Sequence, residues 1–328
     1  MLKTITIVTC LVLAWACPGE AGLWGVPKDY TPAKSWPVIV CTQDGPSKEL
    51  TSAAGYFLIH AGGVGVETST KIRNELLKCA KRYNIDPFRI YATSFSRGGH
   101  EILVQSWQYP HWFAAIAPVC NDLRREPKVF NVKYLVHTPT LLLHGDHDSF
   151  RNTGKKVFEY MKKAGCTVEY QTYPGGHSPN PIYRKNIKAF TDFFERHKLD
   201  PYPKEIVHLV SHKRYSRAFW VDATLVKDAG GMKAVFKVKV KKDNIIEVEA
   251  TEEIAALDLY LDDKIVDMKK PVTVVSGKAR LYRGAAVSPL KIKLRDGKPY
   301  WQRRRKPLWE EILEIRKKAG EKKEGAKQ

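Results

Sequence analysis

The chain changes its pattern once, near residue 200, and that change limits the folds open to it. From about Trp36 to His197, short runs that are apolar throughout alternate with stretches of helical period. Pro37–Cys41, Tyr56–His60, Phe88–Thr93, Phe113–Ala117, Thr140–Leu143 and Val168–Tyr173 read as strands. Thr70–Tyr83, Gly98–Gln108, Asn152–Lys163 and Pro181–His197 read as amphipathic helices. A strand apolar on both faces has to be covered on both faces. The alternation therefore predicts an α/β architecture, a mainly parallel sheet with helices on either side. From about Val207 the runs are short and many alternate apolar with polar: Phe219–Val226, Ala234–Val240, Ile245–Ala250, Leu257–Leu261, Val272–Val275 and Leu290–Leu294. Turn signals at Asp228–Gly231, Lys242–Asn244 and Ser276–Gly277 separate them, and no helical pattern intervenes. That reads as a small all-β sandwich or barrel.

These patterns place a first unit at 22–199, a linker at 200–206 around the stiff Asp200-Pro201-Tyr202-Pro203, and a β-unit at 207–300. A basic tail, partly helical or disordered, follows at 301–328. Residues 1–21 read as a secretory signal. Lys3 precedes a run with no charge from Thr4 to Gly19, and small residues bracket cleavage contexts at Ala14–Ala16 and Gly19–Ala21. At about 1.5 Å per residue the apolar core Ile5–Ala16 is too short to span a bilayer. The expected location is periplasmic or extracellular. Cys17 after Ala16 offers a second reading as a lipid anchor, against which Trp15 suits a lipobox badly.

Six cysteines are present, and Cys10 and Cys17 fall in or beside the signal. Cys41, Cys79, Cys120 and Cys166 form no C-x-x-C pair, and no histidine stands at zinc-finger spacing. No structural metal is expected, and buried thiols are favoured over disulfides. Lys and Arg number 55 against 35 Asp and Glu, a net charge of +20. Arg303–Lys306, beside Trp301 and Trp309, offers a surface for an anionic polymer or the cell envelope, against the simpler reading of a solvated basic face. No nucleic-acid motif supports a nucleic-acid partner. The glycine-rich His60–Gly65 lacks the lysine of a phosphate loop and the spacing of a dinucleotide fingerprint, so it reads as a loop on the substrate side.

The segment Arg89–His100 carries the chemistry. A strand runs straight into a helix through Ser94-Phe95-Ser96-Arg97-Gly98-Gly99. This is close to the nucleophile elbow G-x-S-x-G, in which a serine is held on a strained turn with its hydroxyl above the sheet. Bulk two residues before or after the nucleophile would meet the strand and helix backbones; Ser94 and Gly98 satisfy that limit. Further on, His144-Gly145-Asp146-His147-Asp148 and Pro174-Gly175-Gly176-His177 follow two later strands, at the ends where open α/β sheets bind ligands. A serine needs a base, and the base an acid to orient it. The chain order Ser, Asp, His assigns Ser96 as nucleophile, His177 as base and Asp148 as acid, with Asp146 the second choice for the acid. The His144–Asp148 cluster is read as part of this site and not as a metal site.

With these motifs the chain resembles the α/β-hydrolase superfamily, and within it secreted bacterial esterases of the prolyl-oligopeptidase and dienelactone-hydrolase type. Tyr83–Tyr91, the elbow, Tyr109–Pro118, and the H-G-x-x-D and G-G-H turns carry the likeness over about Trp36–His197. The resemblance implies an ester substrate, small or polymer-linked, and no cofactor. It also implies an oxyanion hole from the Arg97 N–H with the Gly45 or Asp44 N–H. Two departures stand out. Thr42-Gln43-Asp44-Gly45 replaces the usual His-Gly after the first core strand, and Gly22–Ser35 is too short for the usual leading hairpin, so a trimmed sheet is expected. The segment between Cys41 and Tyr56 leaves little room for a helix. The β-unit resembles accessory modules. Two rival readings are a peptidase of the prolyl-oligopeptidase type and a non-catalytic polysaccharide- or envelope-binding protein that has lost the oxyanion hole.

Overall fold

The structure, a computed structural model, describes residues 22–63, 65, 67–121, 131–226, 234–296 and 306–325. Residues 1–21, expected to be a signal, the residues Arg303–Arg305 of the basic run, and Trp301 lie outside the described residues. No helix among the described residues is long and apolar enough to cross a membrane.

The apolar runs of the first half become β1 (Gly22–Gly25), β2 (Trp36–Cys41), β3 (Phe57–His60), β4 (Ile85–Phe95), β5 (Ala115–Val119), β6 (Thr140–Gly145) and β7 (Val168–Tyr173). They form one sheet in the order β1-β3-β2-β4-β5-β6-β7. All neighbours are parallel except β1, which runs antiparallel to β3. Strand β2 explains its own composition: Ile39 and Cys41 enter one buried cluster, while Trp36, Val38 and Val40 enter another across the sheet. Helices α2 (Thr68–Arg82), α3 (Arg97–Gln108) and α4 (Arg151–Lys163) bury Ile72, Leu76, Ile102, Leu103, Val157 and Met161 in the second cluster. Helix α5 (Pro179–Glu195) brings Ile182, Tyr183, Phe190, Phe193 and Phe194 to the first.

The leading hairpin is reduced to one strand and not wholly absent. Gly22–Gly25 pairs with β3, and Trp24 stacks on His60 with centroids 4.1 Å apart. The stretch after Cys41 does hold a helix, the six-residue α1 (Lys48–Ala53), capped by the Ser47 hydroxyl accepting from Leu50 N–H.

The second half holds β8 (Glu205–Val210), β9 (Arg217–Ala218), β10 (Val221–Leu225), β11 (Ala234–Val240), β12 (Ile245–Ala250), β13 (Ile254–Leu259), β14 (Val272–Ser276), β15 (Ala279–Gly284) and β16 (Leu290–Lys293). They form two sheets, β16-β13-β10-β9 and β15-β14-β12-β11-β8. Pairing is antiparallel except between β12 and β14, which run parallel. In β11 the period-two pattern is literal: Ala234, Phe236 and Val238 are buried while Lys237 and Lys239 are exposed. Strand β8 opens at Glu205, inside the segment expected as linker.

The two halves share packing. Tyr91 and Phe194 of the first half belong to the same buried cluster as Ile206, Trp220, Phe236 and Trp309. The Val207 N–H of the second half donates to His137 Nε2 of the first at 3.0 Å. Helix α6 (Leu308–Gly325) returns to the first half, where Leu308 and Ile312 enter the cluster of α2 and Glu311 pairs with Arg73. Trp309, expected on the surface beside the basic run, is buried between Phe88 and Tyr202.

Candidate active site

Strand β4 hands the chain to α3 through Ser96, whose φ of 51° and ψ of −116° lie outside the regions side chains prefer. The turn is tight because the backbones nearly touch. A Cβ on Gly98 would collide with the Ser94 hydroxyl, and one on Gly99 would stand 2.9 Å from the Ser94 carbonyl and 3.1 Å from that of Val119. Glycine is required at both positions, and the result lifts the Ser96 hydroxyl off the end of the sheet.

The loops after β6 and β7 are laced together at the same end. The Asp146 N–H donates to the Tyr173 carbonyl at 2.9 Å and the His147 N–H to that of Gly175 at 3.0 Å. Asp146 Oδ1 accepts the Gly175 N–H at 2.8 Å. A side chain on Gly145 would collide with the Gly175 carbonyl, so the glycine of H-G-x-x-D is what lets the loops approach. This lacing carries His177 to Ser96: His177 Nε2 lies 3.0 Å from Ser96 Oγ, and His177 Nδ1 lies 3.1 Å from Asp148 Oδ1. The Asp148 side chain is fully buried, and Oδ1 also accepts the Phe150 N–H at 2.8 Å. Burial by itself would raise the Asp148 carboxyl. Hydrogen bonds from the Cys120 thiol, the Phe150 N–H and His177, with the imidazole charge, outweigh it and hold the group below its ordinary value. An ionised Asp148 on Nδ1 fixes the tautomer in which Nε2 can accept the serine proton.

No family model matches this chain. It is 33% identical over 86 residues to a Nocardia uniformis subsp. tsuyamanensis protein named as an esterase, NocK, a match covering 26% of this chain and 24% of that one. It is 27% identical over 133 residues to an Arabidopsis thaliana protein named as a SOBER1-like carboxylesterase, covering 34% and 48% respectively. The chain thus spans less than half the length of these curated relatives. Among solved structures it is similar to Thermogutta terrifontis esterase 2, at 18% identity and a TM-score of 0.43, over 55% of this chain and 94% of that one. It is similar too to a Klebsiella pneumoniae protein described as a dienelactone hydrolase, at 16% identity and 0.42, over 54% and 98%. The strand order, the single antiparallel strand and the elbow carry the fold without these numbers. The first sheet has the α/β-hydrolase fold.

Within that fold the loop after β2 normally supplies one oxyanion amide. Here Gln43, Asp44 and Gly45 lie beside the elbow. The Gln43 N–H donates to Ser94 Oγ at 3.1 Å, while the Asp44 carbonyl accepts from the Phe95 N–H at 2.8 Å and from Ser94 Oγ at 3.2 Å. Ser94, which replaces the usual first glycine of the elbow, thus ties the loop to the strand beneath the nucleophile. Gly45 folds back on Cys41, where a Cβ would stand 2.9 Å from the Cys41 Cβ. Arg97 opens α3, so its N–H is one of the first-turn donors that have no intrahelical acceptor.

Several residues of the site escape a motif reading. The rings of Phe95 and Phe150 flank His177, with centroids 4.6 Å and 5.0 Å away. Both adjoin motif residues, which is the only signal they give. Cys120 follows β5 with a φ of 47° and lies fully buried on the inner side of Asp148, its Sγ 3.2 Å from Tyr173 Oη. Burial, with the nearby carboxylate, pushes its thiol up to about 12. Cys41, Cys79 and Cys166 are also buried thiols. His144 is buried behind the loop, its ring stacked on Tyr170, and desolvation lowers it to about 4. His147 is exposed.

Proposed function

We propose that the chain is a serine esterase that cleaves carboxylic esters through an acyl-enzyme. One observation supports this above the rest: Ser96 on a strained elbow, His177 and a buried Asp148 stand in an unbroken relay of hydrogen bonds. The relatives named as esterases support the same reading.

In this mechanism Ser96 Oγ bonds to the acyl carbon as its proton passes to His177 Nε2. Asp148 stabilises the imidazolium. In this reading the Arg97 N–H, with that of Gly45 or Asp44, faces the negative oxygen of the tetrahedral adduct. Collapse expels the alcohol, which takes the proton from His177. Water then attacks the acyl-serine with His177 as base, and acid and Ser96 are released. Hydrolysis of p-nitrophenyl acetate should fall by about 10⁴-fold or more in Ser96→Ala. A fluorophosphonate probe should label the wild-type chain and not the variant. A folded wild-type chain that takes no label would instead favour the non-catalytic binding reading.

The chain is also proposed to be exported, on the uncharged run between Lys3 and Glu20 and the small residues near Ala16 and Ala21. N-terminal sequencing of protein from the native host tests this, and an intact Met1 on cytoplasmic protein would refute it.

A further inference from the structure

Behind the relay lies a donor set that ester hydrolysis does not use in full. Cys120 Sγ, a carboxylate oxygen of Asp148 and a ring nitrogen of His177 all lie within 4.8 Å of one another. They come from three loops, after β5, β6 and β7, so no sequence spacing announces them. Tetrahedral zinc holds such ligands at about 2.0–2.3 Å, which places donor atoms roughly 3.3–3.8 Å apart. The three donors would need to close by up to about 1–1.5 Å. Asp148 Oδ1 and His177 Nδ1 are already 3.1 Å apart. Thiolate, carboxylate and neutral imidazole together carry two negative charges and one soft ligand, a combination that selects zinc-class cations over magnesium or calcium. Of the three, only His177 is partly exposed, at 30% of its side chain, while Cys120 and the Asp148 side chain are fully buried.

We propose that Cys120, Asp148 and His177 form an inhibitory site for a thiophilic divalent cation such as zinc or cadmium. The cation bonds to Cys120 Sγ, and the thiol proton leaves to solvent. It bonds to His177 Nδ1, whose proton is replaced while Nε2 takes one up, so the imidazole stays neutral. One proton is released per ion and nothing is oxidised. The metal-bound imidazole carries its hydrogen on Nε2, facing Ser96 Oγ, and has no lone pair there to accept the serine proton. Binding of the ion and the relay are mutually exclusive.

The inhibitory consequence rests on the esterase reading; occupancy of the site does not. The test therefore reads both. Cadmium is titrated into the full chain while the ultraviolet charge-transfer absorption of a cadmium–thiolate bond is followed, in wild type, Ser96→Ala, Cys120→Ala and Cys120→Ser. Wild type and Ser96→Ala should each gain one equivalent of the band, and both Cys120 variants should lose it. In parallel, zinc should inhibit ester hydrolysis reversibly to chelator, and the concentration required should rise by about tenfold or more in Cys120→Ser. A band that persists unchanged in the Cys120 variants, or none in a folded wild-type chain, overturns the site. Should Cys120→Ala fail to fold, Cys120→Ser keeps the volume and decides alone. If no variant hydrolyses esters yet the band behaves as stated, the site stands and the esterase reading falls.

Discussion

The two halves of this molecule set their polar side chains to different tasks. In the first half they bridge loops far apart in sequence: His177 joins Ser96 to Asp148, and Asp146 holds the Gly175 N–H. In the second half, His208 and Trp220 instead bond to backbone carbonyls nearer in sequence. His208 Nε2 pairs with the Tyr215 carbonyl at 2.6 Å, and the Trp220 indole donates to the Pro203 carbonyl at 2.9 Å. A parallel sheet with crossover helices sends consecutive loops to one end, where their side chains converge. Antiparallel sheets send alternate loops to opposite ends. We infer that the second half adds burial and not chemistry, through a core it shares with the first.

The largest effect that would sharpen this contrast lies in two acids two residues apart. Asp148→Asn should lower kcat/KM by about 10⁴-fold, because the buried acid sets the tautomer of His177. Asp146→Asn keeps an oxygen that can accept the Gly175 N–H and should cost no more than about tenfold, roughly 1.4 kcal/mol in barrier. A reversal of that order in steady-state kinetics would move the acid to Asp146 and undo the account of loop lacing.

The contribution of the second half can be broken at Trp309, which is 7% exposed and packs against both Phe88 and Tyr202. Trp309→Ala should destabilise the protein by about 3–5 kcal/mol in urea unfolding, while the folded variant keeps its kcat. A chain ending at Leu199 should lose solubility, since it would uncover the shared cluster. An unchanged unfolding midpoint in Trp309→Ala would mean that the halves are independent.

How much of this could be read beforehand follows from the range of the interactions. The elbow, the H-G-x-x-D turn and the G-G-H turn are local, and the motif reading of Ser96, Asp148 and His177 selects residues that the structure does bring together. Strands β2, β5 and β6 are apolar on both faces and declare a covered sheet. The four residues of β1 are too few to show a period, and their strand character depends on pairing with β3. Helix α1 is six residues and shows only its Ser47 cap. Trp309 sits beside a basic run and looks like a surface aromatic until α6 folds back. The role of Ser94 was hidden because its partners, Gln43 and Asp44, lie some fifty residues away.

That role supplies the next test. Ser94→Ala removes the hydroxyl that accepts from the Gln43 N–H and donates to the Asp44 carbonyl, while keeping the Cβ. The loop after β2 should loosen, and kcat should fall by about tenfold, or roughly 1.4 kcal/mol, with KM little changed. Affinity for a trifluoromethyl ketone, whose adduct carries the oxyanion, should fall in step with kcat. A KM effect alone would place Ser94 in substrate binding and not beneath the oxyanion.

A last effect, on stability alone, is one the two halves should share. His144 in the first half and His208 in the second are both buried, at 0% and 1% exposure, and desolvation lowers each to about 4. In the unfolded chain each titrates near its ordinary value of about 6.5. Between those limits the unfolded state binds the proton and the folded state does not. Stability is therefore full above about pH 6.5 and falls as the pH drops toward about 4, by up to about 1.4 kcal/mol per pH unit for each group. His208→Gln removes the second titration and leaves an amide to donate to the Tyr215 carbonyl. Urea unfolding at a series of pH values should then show a shallower acid slope for His208→Gln, with ester turnover at neutral pH unaltered. An equal slope would mean that His208 does not titrate on unfolding. A lost turnover would mean that the second half reaches into the site after all, since His208 lies outside the loops that meet there.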